Sequence, residues 1–82
     1  MEVVLSNQAK KQFAKLPPSE KKKIKKKLLS LNENPLSGKK LSGELNRFCS
    51  LRAWPYRIIY SLNNSENRVE VADIEHRQGV YK

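Results

Sequence analysis

The side chains of this sequence that could act on a charged or proton-bearing substrate gather in two short stretches, RAWPYR at residues 52–57 and EHRQGVYK at residues 75–82. In the first, Arg52 and Arg57 flank Trp54-Pro55. If that dipeptide forms a tight turn, the two arginines face each other across a hairpin, project from one face and can grip one phosphate bidentately. The spacing equally fits two exposed strand arginines paired with Glu70, Asp73 or Glu75, and a one-residue slip in register would turn a side chain to the other face. In the second stretch His76, the only histidine, titrates near neutrality and can take or give a proton. Arg77 can stabilise charge, and Tyr81 can stack on a base or donate a hydrogen bond. The plainer alternatives are a polar histidine at a strand end and a tyrosine that caps a sheet edge.

Cys49 stands alone, which excludes an internal disulfide and fits a small buried hydrophobe in a reducing compartment. One Cys and one His cannot supply the ligands of a typical zinc site, and no carboxylate cluster suggests a divalent-metal cage. The chemistry is therefore expected to need no metal and no other cofactor. Seventeen Lys and Arg against eight Asp and Glu leave a net charge of +9, which points to a polyanionic partner, either nucleic acid or an acidic protein. The lysines concentrate in KKKIKKK at residues 21–27, which is either a phosphate-neutralising patch or the solvated face of a helix. No apolar run approaches the roughly 20 residues of a membrane span and none follows a basic start, so a cytoplasmic protein with no membrane partner is expected.

These groups need a scaffold, and 82 residues allow one domain, 1–82. MEVVL has the pattern of a short strand. Ser6 is positioned as the N-cap of a helix bearing Ala9, Phe13 and Leu16, which Pro17-Pro18 stops. A second helix starts at Pro18 or Ser19, repeats the apolar spacing at Ile24, Leu28 and Leu31, and ends at Asn34-Pro35. LSGKKLSGEL, with two glycines, predicts a loop. RFCSLRA, YRIIYSLN and RVEVADIE predict three strands, with turns at Trp54-Pro55 and at 63–67. The expected fold class is α+β: an N-terminal strand, a two-helix hairpin, then a three-stranded antiparallel meander in one small sheet, with the helices on one face and the other face open.

This order of elements, together with KKLSGEL, LRAWPYRIIY and EHRQGVYK, resembles the RelE/ParE toxin superfamily of type II toxin–antitoxin systems over nearly the whole chain. Leu51-Arg52, Tyr56-Arg57-Ile58-Ile59-Tyr60, His76-Arg77 and Val80-Tyr81 look like its RelE branch. The resemblance implies a toxin that enters the ribosomal A site and cuts mRNA there, silenced by a cognate antitoxin in a hetero-oligomeric complex. It implies metal-free cleavage in which the ribose 2′-OH attacks the adjacent phosphate. By the same resemblance Arg57 matches the central phosphate-contacting arginine, Arg77 a leaving-group acid or charge stabiliser, and Tyr81 the residue that orients or stacks the substrate. Arg52, Lys39 and Lys40 would bind substrate. Well-known relatives carry a lysine general base on the strand before the hairpin, whereas this chain has Arg47-Phe48-Cys49-Ser50 there. His76 is accordingly expected to supply the base or to share proton transfer with Arg77. Glu75 stands where many relatives have glycine. The resemblance also leaves open a ParE-like inhibitor of DNA gyrase that acts by protein binding, or a degenerate toxin that binds only its antitoxin.

Overall fold

The computed structural model describes residues 2–35, 38–40 and 47–76. In chain order they form β1 (Glu2–Leu5), α1 (Asn7–Ala14), α2 (Pro18–Glu33), β2 (Lys39–Lys40), β3 (Phe48–Ala53), β4 (Tyr56–Asn63) and β5 (Arg68–His76). Ser6 caps α1 as its type and position predict: its backbone is extended and its Oγ accepts from the Ala9 N–H at 3.0 Å. The helix ends at Ala14, two residues before the expected Leu16. Pro17 disfavours a helical backbone at Leu16, so that side chain enters the core from the turn instead. Pro18 opens α2 at its first position, where a missing N–H costs nothing.

The sheet order is β1-β5-β4-β3-β2. β3, β4 and β5 form the expected antiparallel meander, while β1 pairs parallel with β5, so the sheet is mixed. The segment expected to be all loop contains β2, two residues that pair with Ser50 and Cys49 of β3. Its glycines hide the strand in the sequence, because here a tertiary contact dictates the backbone. Tyr60, fully buried, accepts from the Gly38 N–H at 2.9 Å and donates to the Pro35 carbonyl at 3.0 Å. A Cβ on Gly38 would lie near the Tyr60 ring and 3.0 Å from the Ser50 carbonyl oxygen, so only glycine brings the chain this close.

Both helices cover one face of the sheet. Ala9, Leu16, Ile24, Leu28 and Leu31 pack against Ala53, Ile58, Tyr60, Val69, Val71 and Ile74. Each of the larger of these side chains contributes about 1.5–3 kcal/mol on burial. No described element covers the other, open face, which carries a concavity of about 350 Å³ lined in part by Val4, Phe48, Ser61 and Glu70.

One irregularity decides what that open face displays. Ile59 pairs with Asp73 but Tyr60 with Val71, so Ala72 is an extra residue and β5 bulges there. The pleat changes phase: Val69 and Val71 face the core before the bulge, and Ile74 faces it after. α1 holds the bulge. Ser6 donates from its N–H to the Val71 carbonyl and from Oγ to the Ala72 carbonyl, both at 2.9 Å. Gln12 Oε1 accepts from the Ile74 N–H at 2.7 Å, and the side-chain amides of Gln8 and Gln12 both donate to Asp73 Oδ1. β1 stops opposite Val71, so these side chains satisfy a strand edge that would otherwise be bare.

Candidate functional site

The hairpin expected around Trp54-Pro55 forms, and its register pairs Arg52 with Arg57. Their strand neighbours Ala53 and Ile58 are 3% and 0% exposed, so the pleat sends both guanidinium groups to the open face, where both are exposed. Lys39 pairs with Ser50, which shares the Arg52 face of β3, so Lys39 stands on the same side. Lys40 is one step along, in register with Cys49. A cationic row thus crosses three strands. Among the described residues the ion pairs are Lys23–Glu20 at 2.8 Å and Arg68–Glu70 at 2.9 Å; neither hairpin arginine is consumed in one.

The alternative in which Glu70, Asp73 or Glu75 neutralises these arginines finds no such ion pair among the described residues. Glu70 is held by Arg68 and Asn63, which pull its carboxyl below the ordinary range. Asp73 is bonded to the α1 glutamines. Glu75 is the cross-strand partner of Arg57 and shares its face. Desolvation first, then the Asp73 carboxylate, push the Glu75 carboxyl above its ordinary range, against the opposing pull of Arg57.

His76 lies elsewhere. It pairs with Tyr56, one step from the Arg57–Glu75 pair, and therefore projects toward the helix side of the sheet. Its ring meets Tyr56 edge-on, with centroids 5.0 Å apart and planes at 79°. Together with Gln12, Lys15 and Leu16 these rings line a cavity of about 450 Å³ beneath α1. The bulge at Ala72 sets this placement: unbroken alternation from Val71 would put His76 on the open face with Arg57, and the inserted residue puts Glu75 there instead. From sequence, Glu75 suggests itself only as a counter-ion, and the change of phase has no signature in RVEVADIEH. Arg77 and Tyr81 lie outside the described residues.

Phe48 and Arg47 extend the open face at the other end of β3, with the Arg47 guanidinium 4.9 Å from the Phe48 ring centroid. No group of three or more His, Cys, Asp or Glu side chains among the described residues could hold a metal ion, and no described helix is long and apolar enough to cross a membrane.

Comparison with known proteins places the chain in a family. The toxin–antitoxin complex RelBE2 from Mycobacterium tuberculosis contains a chain of the same fold at a TM-score of 0.85, with 28% identity over 93% of this chain and 96% of that one. The isolated E. coli RelE toxin superposes at 0.78 with 26% identity, over 92% of this chain and 82% of the other. The YoeB/ParE toxin from Agrobacterium tumefaciens superposes at 0.79 with 19% identity over 93% and 98%, a likeness of fold alone. No curated protein matches by sequence. Residues 3–81 match the family model described as ParE toxin of type II toxin-antitoxin system, parDE. With nearly its whole length under that model and the sheet and helices of the same fold in place, the chain belongs to the ParE toxin family, within the RelE/ParE superfamily of type II toxin–antitoxin systems.

Proposed function

We propose that the protein is a ribosome-dependent mRNA endonuclease, acting in the cytoplasm and restrained by a cognate antitoxin. The observation that carries this reading is the pairing of Arg52 with Arg57 on the open sheet face, with Lys39 on the same side. Two guanidinium groups on facing strand positions, with Cβ atoms about 5 Å apart, suit the oxygens of one phosphate. They also suit the charge that develops on it when the ribose 2′ oxygen attacks. Arg57 is the phosphate clamp at the centre of the row, and Arg52 and Lys39 extend it along the sugar–phosphate backbone of the RNA; the roles of Arg77 and Tyr81, which lie outside the described residues, rest on the resemblance alone. The antitoxin is proposed to be acidic, matching the +9 charge of the toxin. Toxin–antitoxin complexes among the similar structures support an antitoxin partner.

The test adds the protein to a coupled translation reaction and maps mRNA ends by primer extension. Codon-positioned breaks that require translating ribosomes are expected. Arg57→Ala should reduce them by about 100-fold or more, the scale of losing one transition-state charge donor. Its circular dichroism and melting curve should stay unchanged, because an exposed strand arginine adds little to packing. The ParE family match favours a second reading, inhibition of DNA gyrase by protein binding. Intact mRNA, with cleaved DNA trapped on gyrase, would select that reading over ours.

A further inference from the structure

The open face holds a carboxylate that the arginine row leaves without a task. Across β3, β4 and β5 the register sets Arg52, Arg57 and Glu75 side by side. Ile74, the neighbour of Glu75, is 3% exposed on the core side, which fixes Glu75 to the arginine side. β5 carries three carboxylates. Glu70 is bonded to Arg68 and Asn63, and Asp73 to Gln8 and Gln12. Glu75 is near enough to Arg57 to feel its charge, yet forms no ion pair with it.

Cleavage through the 2′-OH needs a proton acceptor next to the phosphate clamp, because the attacking oxygen sits roughly 3–3.5 Å from phosphorus in a reactive conformer. The strand position beside Arg57 meets that requirement. We infer that Glu75 is the general base of this site, removing the proton from the ribose 2′-OH. This rests on the ribonuclease reading above. The carboxylate takes the 2′ proton, O2′ bonds to phosphorus, and the P–O5′ bond breaks. The departing 5′ oxygen takes a proton from water, leaving a 2′,3′-cyclic phosphate and a 5′-hydroxyl, and Glu75 returns its proton to the solvent. The charged and titratable groups around Glu75 are Asp73 and His76 on its own strand, Arg57 and Tyr56 on β4, Arg52 beyond them on β3, and Lys15 after α1, which with Glu75, His76 and Tyr56 lines the cavity beneath α1. Desolvation and Asp73 raise its proton affinity over that of an ordinary carboxylate, which makes it a stronger base near neutral pH.

Single-turnover cleavage on programmed ribosomes, followed from about pH 5.5 to 8 with end-group analysis of the fragments, tests the assignment. The wild-type rate is expected to rise with pH on the acid side, and Glu75→Gln should slow cleavage by about 10²–10⁴-fold and abolish that rise. Glu75→Asp, which keeps a carboxylate, should retain that rise at a reduced rate, and this variant also serves if the glutamine form melts early. A bystander carboxylate would repel the phosphate, so its neutralisation would leave the rate unchanged or raise it. Glu75→Gln cleaving within about twofold of wild type with the same profile therefore overturns the role of Glu75 while the ribonuclease reading stands. No cleavage by the wild-type protein overturns that reading, and the role of Glu75 with it.

Discussion

Tyr60 shows how a buried side chain can shape the cationic face. Its ring lies in the core, and its hydroxyl joins the carbonyl of Pro35 to the N–H of Gly38, the residue before Lys39. The placement of Lys39 on the cationic face thus depends on one phenol. Burial raises the pKa of that phenol, with the hydrogen bond from Gly38 opposing. Because the folded value lies above the unfolded one, the stabilisation is complete below about pH 10 and lost as pH rises through the higher folded value. Tyr60→Phe should remove this alkaline loss. The same change leaves a backbone N–H and a carbonyl without their partner, so stability at neutral pH should fall by about 1–3 kcal/mol. Melting temperature recorded against pH checks both statements, and an alkaline limb unchanged in the phenylalanine variant would contradict the first.

At the scale of elements, the decisive packing is between α1 and the bulge of β5. Ser6 does two jobs, accepting from Ala9 as the helix cap and donating to the Ala72 carbonyl. Ser6→Ala should therefore cost about 1–2 kcal/mol, at the upper end for a cap, and speed hydrogen exchange at Ile74 and its neighbours. A loss of stability without faster exchange there would mean that the clamp is not what holds the bulge. Much of this architecture was legible in the sequence, since caps, prolines and apolar spacing located both helices and alternation located β3, β4 and β5. The Arg52–Arg57 pairing was legible too, because a two-residue turn sets its own register. Two features were not. β2 is held by Tyr60, some twenty residues away, and leaves no local pattern. The extra residue at Ala72 is specified by Ser6 and Gln12, more than sixty residues earlier, so alternation read along RVEVADIEH assigns His76 and Glu75 to each other's faces.

At the scale of the whole molecule, positive charge sits on both layers. The arginine row lies on the open sheet, and the lysines of α2 lie on the helical side, with Lys22, Lys25, Lys26 and Lys27 exposed. Lys23 differs: it pairs with Glu20 and donates to the Trp54 carbonyl, tying α2 to the tip of the arginine hairpin. Like charges three and four residues apart on a helix repel by a few tenths of a kcal/mol per pair, so this composition is a cost to the isolated fold. A merely solvated face gains nothing in return, whereas a face that meets ribosomal RNA recovers the cost through counterion release. Replacing Lys22, Lys25, Lys26 and Lys27 together with Gln separates the two cases. In both, the melting temperature at low salt should rise. If α2 touches RNA, ribosome affinity should fall, and the slope of log affinity against log salt should become shallower by roughly 0.7–0.9 for each phosphate that the variant no longer neutralises. An unchanged slope alongside the raised melting temperature would show that the lysine face is solvated only.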